Sequence, residues 1–360
     1  MRKIERIGLD RLVLSVHILK INIEKLKENI KKLQVVTNNE SMFYGLQYFK
    51  IIDNERFSTL CAGIRRYKKG ASCKVYCKIE FSLSFINEER NNLQNITIDE
   101  YLKHINSIFL YIKDRYGIEL DMKNIKVQQM EINCNILLNE PFKEYDKLIE
   151  MMMYNLSNQK YQPFIAEYKY VNKQDKSLDT QTFCRGNKAI EFIIYDKKQQ
   201  LKKLKKDLYS DNVEIMRIEI RLKTAQKVKE VFHTNNIWNI KMSQIRDFFL
   251  NQMDKYFFQR FDYWKKENVN TMRKMVVENR KKKKNWILAT FEECRKIEEE
   301  KNVPLIIDIK DYIDIVNSVD NHYHSRRNAG KILEYNQRFG HVSTTNNKKM
   351  QELKEKIRAM

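Results

Sequence analysis

Glycine and proline are scarce in this chain, 8 and 3 in 360 residues. Flexible linkers and low-complexity tracts need such residues in clusters, so little room is left for either. There is no uninterrupted apolar run of the roughly eighteen residues a bilayer-spanning helix requires, no signal peptide and no lipidation motif, which argues against a membrane protein. The six cysteines, Cys61, Cys73, Cys77, Cys134, Cys184 and Cys294, are scattered, mostly in apolar strand-like stretches. Cys73 and Cys77 have no second pair nearby, a poor arrangement for a zinc knuckle, and buried free thiols in a reducing cytoplasm are expected instead. Acid is in deficit: 47 Asp and Glu stand against 68 Lys and Arg, a net charge of +21. Such an excess points to polyanionic partners, nucleic acid first and an anionic membrane surface second.

What the chain does have is core-forming material, 42% hydrophobic and 11% aromatic residues, enough for a globular protein of two domains or of one large domain with an appendage. Period-two alternation predicts strands over Leu12–Ile18, Met42–Ile52, Phe57–Tyr67 and Cys73–Phe85, with an amphipathic helix over Ile23–Leu33. Thr97 can cap a helix running to Tyr116, and Asp99 and Glu100 suit its positive end. The order then recurs: a strand over Ile125–Leu138, a helix over Phe142–Leu156, and strands over Phe164–Val171, Leu178–Cys184, Ile190–Asp196 and Glu214–Leu222. Strand, helix and three strands, twice, predict an α+β fold with antiparallel-rich related sub-sheets and helices on one face. No sequence identity stands out between the halves, so duplication is an expectation of topology. From Ser243 the pattern is helical and aromatic-rich, and Arg280, Lys281, Lys282, Lys283 and Lys284 form an unbroken basic run, either a solvated helix face or a phosphate-contacting track. The expected divisions are a core over 1–235, with sub-sheets of about 1–95 and 96–235, a helical basic region over 236–300 and a small helical C-terminal module over 301–360.

The chemistry gathers on the strands around Asn187–Lys223. Alternation puts Met216, Ile218, Ile220 and Leu222 on one face and Arg217, Glu219 and Arg221 on the other, while Glu191, Ile193, Tyr195 and Lys197 share a face of the preceding strand. On the upstream strand Gln129, Glu131, Asn133 and Asn135 point one way and Met130, Ile132, Cys134 and Ile136 the other. An acid flanked by amides can hold a divalent ion through oxygen ligands, so Glu131 and Glu219 beside Tyr195 would make a metal-and-tyrosine site. The alternative is a pair of exposed strand carboxylates bound to Arg217 or Arg221.

The order IIYDKKQQ, basic helix, MRIEIRLK, preceded by an acid in MEIN, resembles plasmid rolling-circle replication initiators of the Rep_trans type. The segment CKIEFSLSFINEERNNL at 77–93 is similar to filamentous-phage type replication proteins. The likeness spans roughly residues 1 to 235. It implies an HUH-like, duplicated nuclease core that nicks and rejoins origin DNA through a phosphotyrosine intermediate. By position it makes Tyr195 the nucleophile, Glu131 and Glu219 ligands of Mg2+ or Mn2+, and Lys197, Arg217 and Arg221 contacts to the scissile phosphate, with Gln129, Asn133, Lys198 and the 280–284 run as further nucleic-acid contacts. A phenolate attack keeps the phosphodiester energy for rejoining and frees a 3′-OH to prime synthesis. The implied partners are single-stranded or hairpin origin DNA, a host helicase and a single-strand-binding protein in a bacterial cytoplasm.

The chain departs from the pattern in places. Gln200 stands where the plasmid initiators often carry a glutamate, the phage-segment proline is replaced by Ser84-Phe85, and no second tyrosine lies beside Tyr195. His322-Tyr323-His324 spells a two-histidine metal motif, but it follows the catalytic candidates instead of preceding them, so a loop or DNA-backbone role is expected there. The competing readings are a relaxase for conjugative transfer, a catalytically silent DNA-binding protein of the same fold, which Gln200 supports, and an RNA-binding protein. The last would want aromatics on the open sheet face, where acids and amides stand instead.

Overall fold

The computed structural model describes residues 6–30, 48–52, 59–65, 74–82, 96–157, 182–203, 213–282, 285–301, 308–320, 324–339 and 346–360. Cys73, residues 83–95, the expected strand at Phe164–Val171, Lys283, Lys284, His322 and Tyr323 lie outside them. The strands are β1 (Gly8–Ile21), β2 (Tyr48–Ile52), β3 (Thr59–Arg65), β4 (Lys74–Ser82), β5 (Ile118–Leu120), β6 (Lys126–Leu138), β7 (Thr182–Gly186), β8 (Ile190–Asp196) and β9 (Glu214–Leu222). Helices α1 (Ile23–Ile30), α2 (Ile98–Tyr116), α3 (Asp146–Ser157), α4 (Lys197–Lys203) and α5 (Ala225–Phe232) are interleaved with them. Beyond them the described residues are mostly helical: α6 (Met242–Met253), α7 (Gln259–Lys282), α8 (Trp286–Lys301), α9 (Ile309–Val319), α10 (Ser325–Phe339) and α11 (Asn346–Arg358). This is the expected α+β architecture, an antiparallel sheet followed by a mostly helical C-terminal region.

The strands form one sheet in the order β2-β3-β4-β1-β6-β9-β8-β7, with β5 paired to β1 off that path. Read outward from the β1–β6 boundary, both sides run first strand, last strand, middle strand, second strand. Each side follows its last strand with a threonine-capped helix: the Thr97 side chain accepts from the Glu100 amide at the start of α2, and the Thr224 side chain from the Lys227 amide at the start of α5. In α2 the cap is reciprocal, since the Glu100 carboxylate accepts from the Thr97 amide at 2.7 Å. At its other end Gly117 takes a left-handed φ of 69°, and a Cβ there would come within 2.8 Å of Asn22. Glycine is required at that position by both conformation and space.

One sequence expectation is corrected at β6. Its predicted polar face is not open: Asn133 and Asn135 are as fully buried as Met130, Ile132, Cys134 and Ile136. A central strand covered on both faces must satisfy its polar side chains inside the protein. A second correction falls at β8, which ends at Asp196, so Lys197 opens α4 and does not continue the strand face of Tyr195.

The chain divides into two units, each discontinuous in sequence. The first comprises Met1–Leu137, Gly186–Lys197 and Met216–Phe249; the second comprises Leu138–Arg185, Lys198–Ile215 and Leu250–Met360. Within the second, Val276 of α7, Phe291 of α8, Tyr312 and Val316 of α9 and Ile332 of α10 share an apolar core. The C-terminal helix is pinned by Glu352, whose carboxylate accepts from the Tyr145 hydroxyl at 2.6 Å and from the Asn139 amide at 2.9 Å. No helix among the described residues is long and apolar enough to cross a membrane.

Because Tyr101 of α2 reaches the charged part of the sheet, the α2 cap bears on the site as well as on the helix. Thr97→Ala should lower the unfolding free energy by about 1 kcal/mol. A reduced urea midpoint with an unchanged m value is the expected result.

Candidate functional site

A β-bulge opens the site. The register between β1 and β6 pairs Leu9 with Ile132 and Arg11 with Glu131, leaving Asp10 as an extra residue on β1. An extra residue breaks strict alternation, so neighbouring side chains can serve one side of the sheet. Asp10 reaches Arg217 of β9, with Oδ2 2.9 Å from a guanidinium nitrogen, while Arg11 donates to Glu131 at 3.1 Å and pairs with Glu80 of β4 at 2.7 Å. Tyr101 of α2, completely buried, donates its hydroxyl to the Asp10 carbonyl at 2.9 Å and fixes the bulge.

At the centre is the Glu219 carboxylate. Its Oε1 accepts from the Tyr195 hydroxyl at 2.7 Å and from Arg217 Nε at 3.0 Å, and its Oε2 accepts from an Arg221 guanidinium nitrogen at 2.8 Å. The β8–β9 register explains the geometry: Tyr195 lies directly opposite Arg217, and Ile193 opposite Glu219. Arg221 also reaches Glu131 at 3.4 Å and Glu191 at 3.4 Å. Alternating charges therefore run from Glu80 through Arg11, Glu131, Arg221, Glu219 and Arg217 to Asp10. Burial grades along β9, from 0% exposure of the Arg217 side chain through 3% for Glu219 to 35% for Arg221.

Electrostatics follow from this layout. Burial by itself would raise the Glu219 carboxyl, but Arg217, Arg221, the Tyr195 hydrogen bond and Lys197 outweigh it and hold the group below the usual carboxylate range. Glu131 ends on the other side: burial raises it, Glu219 and Asp10 add to that, and Arg221 and Arg11 only partly offset it. Burial also drives the Tyr195 hydroxyl well above an ordinary phenol; Arg217 pulls it back, while the charge and hydrogen bond of Glu219 push it further up. The phenol is thus a protonated donor aimed at an ionised carboxylate. Lys197 places its ammonium 5.7 Å from the Tyr195 ring centroid.

The expected metal pair, Glu131 and Glu219, does meet across β6 and β9, but Arg221 stands between the two carboxylates. As arranged, the pair does not fit Mg2+ or Mn2+, because a divalent ion there would share its ligands with a guanidinium of the same sign. Among the described residues no group of three or more His, Cys, Asp or Glu is placed to hold a metal ion.

Of the remaining expected residues, Gln129 is half-buried on β6, Asn133 is completely buried, and Lys198 pairs with Glu214 at 2.6 Å. Gln200 is half-buried on α4. Arg280 is exposed like Lys281 and Lys282 after it, but it is also engaged within the protein. It donates to the Val319 carbonyl at the end of α9 and pairs with Asp320 at 3.0 Å, so it serves to close that helix. Asp10, Arg11, Glu80 and Tyr101 escaped sequence reasoning. Only Glu80 carried a signal, since KIEF at 78–81 matches RIEI at 217–220 in both charge and pattern. Compared with models of known protein families and with characterised protein sequences, the chain matches none.

Arg217→Met should remove a cation that two carboxylates depend on. Breaking a buried pair from one side costs about 3–5 kcal/mol. Acid stability gives a second check. With its folded value depressed, the Glu219 carboxyl contributes stability that is fully present above its unfolded value and lost as pH falls through the folded one. Unfolding free energy measured against pH should therefore drop on the acid side in the parent protein, and the drop should shrink in Glu219→Gln.

Proposed function

We propose that the chain is a tyrosine transesterase that nicks and rejoins single-stranded DNA, and that it initiates rolling-circle replication of a plasmid or phage-like element. The observation that carries this reading is the Tyr195 hydroxyl donating at 2.7 Å to a carboxylate that two arginines hold ionised. In the proposed reaction the Tyr195 oxygen attacks phosphorus as its proton passes to Glu219. The new bond joins Tyr195 to the 5′ side of the nick, the bond to the 3′ oxygen breaks, and that oxygen takes up the proton as a 3′-OH. Reversal of these steps rejoins the strand with no external energy source.

Negative charge develops on the phosphoryl oxygens, and a preorganised cation stabilises it best. Arg221 is the candidate for this task, because it combines contact with Glu219 with 35% exposure. Arg217, completely buried between Asp10 and Glu219, is a positioning residue that keeps the acceptor oxygen facing Tyr195. Lys197, close to the ring, favours the phenolate as it forms. No step here passes through a metal ion. An HUH-like core, a single nucleophile, origin DNA with a host helicase and single-strand-binding protein as partners, and a bacterial cytoplasmic setting belong to the same proposal. The net charge of +21 supports a polyanionic substrate.

A second reading, a silent DNA-binding protein of the same fold, is favoured by the 7% exposure of Tyr195 and the saturation of Glu219 by internal donors. Both readings meet in one assay. The protein is incubated with labelled single-stranded hairpin DNA from its own element's origin, in Mg2+, in Mn2+ and in chelator. The transesterase reading expects a covalent adduct that survives denaturation, is absent in Tyr195→Phe, and forms about 10²–10⁴-fold more slowly in Glu219→Gln. An adduct that persists in Tyr195→Phe puts the nucleophile elsewhere. Absence of any adduct under all three conditions favours the silent binder.

A further inference from the structure

The two sides of the sheet share sequence once they are aligned by strand order. Residues 78–83, KIEFSL, fall on residues 217–222, RIEIRL. The registers agree with that alignment. On one side Leu60 of β3 pairs with Ile79 of β4, and on the other Ile194 of β8 pairs with Ile218 of β9. All four residues are completely buried. One rung along, Cys61 pairs with Lys78 where Tyr195 pairs with Arg217, and Thr59 pairs with Glu80 where Ile193 pairs with Glu219.

We propose that β4 carries a second copy of the site that binds but cannot cleave, a subsite for another phosphodiester of the strand that Tyr195 attacks. This rests on the transesterase reading. The copy keeps the carboxylate, Glu80, and keeps it gripped by a guanidinium, that of Arg11 at 2.7 Å. It lacks the nucleophile, since the position equivalent to Tyr195 is Cys61. It also differs in exposure: Arg217 is completely buried and committed to internal carboxylates, whereas Lys78, its equivalent, is exposed. An exposed ammonium is a strongly hydrated point charge suited to a phosphate and holds no fixed fork geometry. Strands β4 and β9 are separated by three inter-strand steps in the sheet order. At about 4.8 Å per step they lie about 14 Å apart. With a rise of about 3.4 Å per nucleotide in a stacked strand, a phosphate on β4 falls at least about four nucleotides from one held at Arg221, and the offset of Lys78 along its strand, level with Ser15 and not with Arg11, adds to that.

The test is made in the full-length Tyr195→Phe protein, so that binding is read without cleavage. Affinity for mixed-sequence single-stranded oligonucleotides of increasing length is measured over a salt series, with and without Lys78→Ala. On long oligonucleotides Lys78→Ala is expected to weaken binding about three- to tenfold and to reduce the slope of log affinity against log salt by roughly 0.7, the value of one phosphate contact on a single strand. On oligonucleotides too short to reach β4 the two proteins should bind alike, and Lys78→Arg should restore the long-oligonucleotide affinity. Unchanged affinity and slope on long oligonucleotides overturns the subsite. A wild-type protein that forms no adduct counts against the transesterase reading instead, so the two failures are told apart.

Discussion

The Glu219 carboxylate is the contact on which the charged part of the sheet depends. Three donors from β8 and β9 converge on its two oxygens, and the two guanidiniums are themselves tied to Asp10, Glu131 and Glu191 further out. A carboxylate buried this deeply would be driven to protonate if left alone. Guanidiniums on two sides keep it ionised, and its ionisation keeps them in place. Removing one member leaves the others buried without compensation, which is why such an assembly is expensive to break even where its net contribution to stability is small.

That same mutual commitment separates the two functional readings. A purely structural network gains from closing every donor onto an acceptor. A phosphoryl-transfer site must leave at least one cation able to change partners. The grading of exposure along β9 supplies such a cation at one end only: Arg217 is locked inside, while Arg221 meets solvent and divides its attention among Glu219, Glu131 and Glu191. On the transesterase reading, an incoming phosphate would be matched to Arg221, with the carboxylates as the partners it replaces.

Much of this was legible in the sequence, and the failures have physical causes. Alternation in MRIEIRLK placed Arg217, Glu219 and Arg221 on one side of a strand, and Thr97 with Asp99 and Glu100 marked the start of α2. Glu131 and Glu219 were correctly read as neighbours. Their relation stayed open between a metal site and arginine pairing, because a guanidinium between two acids and a metal ion between them leave the same pattern in a strand. Asp10 was illegible because it precedes the strand that alternation predicts, Leu12–Ile18, and a bulge has no strong local signature; only the pairing with β6 shows the extra residue. The fully buried Asn133 and Asn135 went astray because alternation reports polarity, and polarity means exposure only when the strand is covered on a single side. The match of KIEF to RIEI is too short to notice until the strand order says where to look.

The mirrored strand order also has a kinetic side. Asp10 and Arg11 sit near the start of the chain, whereas Arg217, Glu219 and Arg221 come from the last strand of the second half. Contacts between such distant segments require a large loop to be closed before they give any return. During synthesis the early strands β1 and β4 can pair as soon as both have emerged, but Asp10 keeps its anionic group without Arg217 until β9 is made. The tyrosine and its acceptor thus come together only at the end of sheet assembly. A chain halted before β8 would hold the first copy of the element without the one that bears the phenol.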